Sequence, residues 1–270
     1  MYAVILHAHQ KIDRIAHRHL QRLLGKDTFF PRLQLIYHFE GNNGPDATKL
    51  KNKHNVEQPW HFIDPFNIED TDLHRYIEDH YAALVRALRE KDEVRSAFEA
   101  SWLAHALVDG LTPAHHYPYE KELEDLRGDS RHSRKGLVGR AIIKGDNRRD
   151  SFKRSFQLIG PKGLLTTHAL FEGGAYTIMA PLKLTSALPT TADIAEINKH
   201  GLVAYFQRMA KEVAVLDMYE RFYQKGWTQK LSRDIRKELA PRMVKMVTLA
   251  WYAAVQEATV DEGRKKPVSA

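Results

Sequence analysis

Apolar residues recur at three- and four-residue spacing along most of the chain. Ile12, Ile15, Ala16, Leu20, Leu23 and Leu24 fall on one face of a first predicted helix, and Leu73, Tyr76, Ile77, Tyr81, Leu84, Val85 and Leu88 on one face of a second. A third starts near Glu93 and carries Val94, Phe98, Trp102, His105 and Asp109. Gly110 and Pro113 are predicted to stop it, since glycine favours a helix C-terminus and proline cannot continue one. Later helices are predicted near 167–179, 191–225 and 229–257, with Asp193 as the cap of the longest and Pro241 as a kink or restart in the last. No strand alternation and no fixed-period repeat is visible. Segments 38–70, 110–166 and 180–190, rich in Gly, Pro, Asn and Asp, are expected to be ordered loops. The fold expected is all-α: one multi-helix domain over residues 1–260, with its site at the bottom of a cleft between helices and loops, a basic insertion at about 120–165 and a flexible tail at 261–270.

The 270 residues are 43% hydrophobic and 28% charged, a composition that builds a core and excludes a disordered chain. No apolar run approaches the roughly 20 residues of a membrane-spanning helix. The N-terminus, Met1-Tyr2-Ala3-Val4-Ile5-Leu6-His7, lacks the basic and long apolar regions of a secretory signal, so a cytoplasmic location is expected. Between Arg127 and Arg154 ten cationic residues face three anionic ones, an excess equal to the whole net charge of +7. The basicity is therefore local. That segment is either a solvated excursion or an anion-attracting rim, and its anionic partners would be phosphate esters, nucleic acid or an acidic lipid surface contacted through 127–154.

With no cysteine, any metal must be held by imidazole and carboxylate. His105 and Asp109 lie four apart, hence on one helix face. Gly110 to Pro113 then turn the chain and return His115 towards them. His168 and Glu172 repeat the four-residue spacing on another predicted helix, and facing helices carrying such pairs are how bundles build multinuclear metal sites. Asp46 and His61 offer ligands from the loop before the central helix, and His9 stands at the start of the first one. His17, His19, His38, His54, His74, His80, His132 and His200 lack such partners and are read as surface or core residues; His116 is read as a neighbour of the site. Trp60, Trp102, Phe62 and Tyr117 are read as packing around it, with Trp60 and Tyr117 able to face the cleft.

The ordered series His9, Asp46, His61, His105-x3-Asp109-x5-His115 and His168-x3-Glu172 resembles zinc-dependent phospholipase C and the single-strand-specific nucleases that share its fold. The resemblance runs over roughly residues 5–180. It implies two or three Zn²⁺ ions: one on Asp46, His61, His105 and Asp109, a second on His115, His168 and Glu172, and a third on His9 with Asp109 as a bridge. Members of that family begin at a Trp whose amine and carbonyl complete the third position, whereas this sequence opens Met1-Tyr2 and sets His9 further in. Either His7 takes that place, or two metals are bound, or the start site is processed differently.

Zinc lowers the pKa of a bound water to about 7, and paired metals clamp both oxygens of an in-line displacement. Phosphodiester hydrolysis is the reaction expected, with Asp46 as ligand and general base. Phospholipid is the first substrate expected. A nuclease or 3′-nucleotidase acting on single-stranded nucleic acid is the alternative, and a metal-binding protein without turnover is a third reading.

Overall fold

The computed structural model describes residues 2–41, 43–46, 61–128, 143 and 145–264, with backbone alone at 2–7, 119–120 and 261–264. Trp60, His54, His132, the side chain of His7, the last six residues and most of the basic segment lie outside the described residues. Among the described residues every regular element is helical: α1 (Tyr2–Leu23), α2 (Leu33–Glu40), α3 (Asp72–Glu90), α4 (Glu93–Leu111), a 3₁₀ turn Pro113–His116, α5 (Tyr119–Arg127), α6 (Arg148–Ile159), α7 (Leu164–Met179), α8 (Thr191–His200), α9 (Leu202–Ala214), α10 (Met218–Lys225), α11 (Gln229–Asp234) and α12 (Ala240–Arg264). None of them is long and apolar enough to cross a membrane.

Two helices with long buried stretches form the centre. From Leu103 to Leu111 every residue of α4 is buried, and α12 buries Met243, Val244, Met246, Val247, Leu249, Ala250 and Trp251 in one run. A stretch buried on all sides must be surrounded, and α1, α2, α3 and α9 pack around this pair. Trp251 is fully buried, and its indole Nε1 donates to the Ala100 carbonyl at 3.0 Å, joining α12 to α4. Lys91 and Asp92 connect α3 to α4. Lys91 ends the first in a left-handed conformation, and the Asp92 side chain accepts from Arg95 N to start the second.

Several local expectations change. The 191–225 stretch is three helices, broken at Gly201 (φ 84) and at Asp217 (φ 48). Its cap is Thr190, whose hydroxyl accepts from Asp193 N; Asp193 sits three residues in and returns the bond to Thr190, completing a capping box. The expected loop 38–70 begins inside α2, because Leu35, Ile36 and Phe39 have core to cover. The expected loop 110–166 contains α5 and α6. Gly110 lies within α4 and does not end it: a Cβ there would stand 2.5 Å from Phe206 Cζ and 2.7 Å from Leu73 Cδ2, so the glycine lets α9 and α3 approach. Pro241 behaves as a restart, following a π-helical turn Ile235–Leu239 in which Ala240 N bonds Ile235 O.

Candidate metal centre

The four-residue spacing on α4 sets His105 Nε2 3.1 Å from Asp109 Oδ2. α1 crosses at this level and lays His9 flat on His105, ring centroids 4.2 Å apart and planes 11° from parallel. His9 lies seven residues into α1, not at its start, so the helix fixes its direction. Its Nε2 is 3.3 Å from Asp109 Oδ1. Asp46 Oδ1 is 3.8 Å from His105 Nε2.

The second group forms where the chain turns. Thr112 Oγ1 donates to Val108 O and His115 N to Thr112 O, both at 2.8 Å, which folds the Pro113–His116 turn back under α4. His116 Nε2 donates to Gly110 O at 2.9 Å; its burial pushes the imidazole pKa down to about 4, so it stays neutral and structural. His115 meets α7, with Nε2 2.9 Å from Glu172 Oε1, and His168 Nε2 is 3.1 Å from the same oxygen. The His115 and His168 rings stack at 5.1 Å and 11°, repeating the parallel arrangement of the first pair.

Each of the two groups, His9 with His105 and Asp109, and His115 with His168 and Glu172, could hold a metal ion. Seven of the eight residues expected from sequence thus fall in or beside two clusters. The eighth, His61, follows its neighbour: Ile63 N donates to His115 O at 3.1 Å, and this pins the His61 and Phe62 rings against His115, each at 5.2 Å. The partition differs from the one the resemblance implied, since His9 shares its group with His105 and His61 stands on the side of His115.

The donor chemistry fits a cation. His9 Nδ1, His105 Nε2 and His115 Nδ1 are buried and make no well-aligned hydrogen bond among the described residues, while a carboxylate oxygen stands 3.7, 3.1 and 3.8 Å from them in turn, a set of donors open to a shared cation. A cavity of about 40 Å³ touches His9, Asp109, Thr112 and Glu172, and so reaches both groups. That is ample for an ion or a water.

Electrostatics agree. Burial alone would lower the His105 pKa, but Asp109, Glu40 and Asp46 raise it well above the ordinary imidazole value. Burial would raise Asp109, and the His105 and His115 rings pull it well below the usual carboxylate range; Glu172 is likewise held low by His168 and His115.

Glu40 was not foreseen from sequence. Fully buried at the end of α2, it accepts from His105 Nδ1 at 2.9 Å with Oε1 and from Ser101 Oγ at 3.2 Å with Oε2, and Oε1 is 3.7 Å from His9 Nδ1. One carboxylate therefore fixes the His105 ring with its Nε2 towards Asp109 and stands beside the His9 ring stacked on it. No spacing in the sequence links residue 40 to residues 9 and 105; only the packing of α2 on α4 and α1 does. Asp13, one turn beyond His9, is also buried, and its carboxyl is pushed well up by burial and by Glu40.

Beside the second group a cleft of about 310 Å³ is lined by Tyr117, Glu122, Lys162, Thr167, Tyr219 and Tyr223, among others. Tyr219 joins it to the centre, with its ring 6.5 Å from His168 and 5.5 Å from Tyr117. Tyr117 thus takes the second of its two expected places and faces a cleft. Trp102 and Phe98 pack together with His80, which pairs with the buried Glu99 at 2.5 Å. No protein-family model, no curated protein and no solved structure matches the chain.

Proposed function

We propose that the chain is a zinc-dependent phosphoesterase that hydrolyses phosphodiester bonds, first of all those of phospholipids. The observation that carries the reading is the position of Asp109 between two imidazole pairs, on a small cavity that touches both groups, with a cleft of about 310 Å³ beside the second group. Divalent ions held there would supply Lewis acidity, activating water and neutralising charge on a phosphate. Nitrogen and oxygen donors without thiolate suit Zn²⁺.

The remaining roles belong to the chain. His9, His105, Asp109 and Asp46 would hold one ion and His115, His168 and Glu172 another, with His61 close to the second group. Asp46 has a 17% exposed side chain, in contrast to the buried Asp109 and Glu40, so it is the carboxylate placed to take a proton from incoming water. Lys162 and the three tyrosines line the path of the substrate.

Those tyrosines favour one second reading. Tyr117, Tyr219 and Tyr223 present aromatic surface on which bases of single-stranded nucleic acid would stack, the behaviour of a nuclease or nucleotidase on the same frame. Hydrolysis measured side by side on phosphatidylcholine, single-stranded DNA and a nucleoside 3′-phosphate separates the two. Metal analysis before and after chelation, with no turnover on any of the three, would instead identify a non-catalytic metal-binding protein.

A further inference from the structure

α6 turns its apolar residues the wrong way for a helix that only packs on its own protein. At 100° per residue Ile159, Phe152 and Phe156 form one stripe, with Arg148 on one side of it and Arg149 and Lys153 on the other. All three apolar side chains face solvent: Phe152 is 73%, Phe156 57% and Ile159 62% exposed. The two phenyl rings lie together, centroids 6.5 Å apart. The opposite face holds the helix in place, with Leu158 buried against Leu123 and Ile143, and Arg154 bonded to Asp150 and to the Leu126 carbonyl. The outward stripe therefore contributes nothing to this core, and among the described residues Arg148, Arg149 and Lys153 form no ion pair.

We propose that this face of α6 docks the protein on an anionic phospholipid bilayer. An apolar stripe flanked by cations is the pattern of a helix lying in a membrane interface, the rings among the acyl chains and the cations at the phosphates. Charge and apolarity are complementary to that surface together. A nucleic acid would use the cations and leave two phenyl rings and an isoleucine in water, because stacked rings offer little face to a base. Gln157 of the same helix, Lys162 of the turn after it and Leu164 at the start of α7 line the cleft whose Tyr219 stands 6.5 Å from His168. Docking through α6 would bring that cleft to the lipid surface. The inference deepens the phospholipid reading, on which its biological sense rests, while the binding itself needs no turnover.

The test is co-sedimentation of the full chain, metal-stripped in chelator so that no hydrolysis occurs, with vesicles of phosphatidylglycerol and phosphatidylcholine. The native chain should partition onto mixed vesicles and only weakly onto pure phosphatidylcholine. The double substitution Phe152→Ser/Phe156→Ser should weaken partitioning by at least roughly tenfold with an unchanged thermal midpoint, since both side chains are exposed. Arg149→Gln/Lys153→Gln should weaken it by roughly fivefold per charge on the anionic vesicles only. No partitioning of the native chain, or equal partitioning of the phenyl variant, overturns the proposal. So does loss of oligonucleotide binding or of self-association in that variant at unchanged vesicle affinity. Vesicle binding that persists in a chain inactive on phospholipid would leave docking intact and sink the hydrolase reading alone.

Discussion

Asp109 reaches His115 across the gap between the two imidazole pairs, its Oδ1 3.8 Å from Nδ1. The same oxygen is 3.3 Å from His9, so one carboxylate stands close to a ring of each group, and the proposed function makes it a bridge between them. Asp109→Asn removes its charge and leaves its size. We expect zinc affinity at both groups to fall by more than the roughly 10–100-fold that loss of an outer partner costs, and hydrolysis to disappear. Zinc content after gel filtration, read together with activity, checks this; retained zinc at native stoichiometry would refute the bridging role.

Glu40 should act on one group only. Glu40→Gln keeps the side-chain volume but weakens the hold on the His105 Nδ1–H, and Glu40→Ala removes it. Zinc affinity of the His9, His105 and Asp109 group is expected to fall roughly 10–100-fold, leaving the His115, His168 and Glu172 group unchanged. A competition titration resolving two binding phases shows the split. Loss in both phases would mean that Glu40 merely supports the fold.

These two carboxylates mark where the sequence was readable. His105, Asp109, His168 and Glu172 were legible because four residues along a helix is a distance in space, and His115 because a Pro-containing turn leaves few directions for the chain. Glu40 reaches His105 from 65 residues away and leaves no periodic trace. The all-α class was legible from spacing alone, whereas the split of 191–225 depended on Gly201 and on Asp217 adopting a left-handed conformation that aspartate tolerates at a helix start. Gly110 has the composition of a helix terminus and the role of a packing contact. The outward stripe of α6 was not legible because its three apolar residues have the spacing of a helix face that packs inward, and only their exposure shows that this one does not.

Stability of the metal-free chain should depend on pH through the same atoms. The folded pKa of His105 is raised above the ordinary 6.5, so its contribution is full below that value and is lost as pH rises through the folded one. Asp109 is depressed below 3.8, so its contribution is present above that value and is lost as pH falls through the folded one. His116, lowered to about 4, removes stability as pH drops below 6.5, because the unfolded chain gains the proton first. The melting temperature in chelator should therefore decline on the alkaline side of about pH 6.5 as well as in acid. Zinc should abolish the alkaline decline, since it takes the place of a proton on imidazole. An alkaline limb equally steep with and without zinc would contradict the assignment.

Gly110 adjoins Asp109, and its missing side chain sets how closely α4 approaches α9 and α3. In Gly110→Ala the new methyl would meet Phe206 and Leu73, both fully buried, so neither can swing away into solvent. Overpacking of this kind costs about 1–3 kcal/mol. The helix backbone must then shift at the residue beside Asp109, so zinc affinity should weaken together with stability. The same substitution at Gly173, where a Cβ meets nothing within 4 Å, keeps the chemistry of the change and removes the collision. Replacing that helical glycine should leave zinc binding intact and stability equal or higher. Denaturant midpoints and zinc titrations of the two variants separate crowding at Gly110 from any general effect of adding a methyl group; equal behaviour of the two would show that the close approach of α9 does not set the position of Asp109.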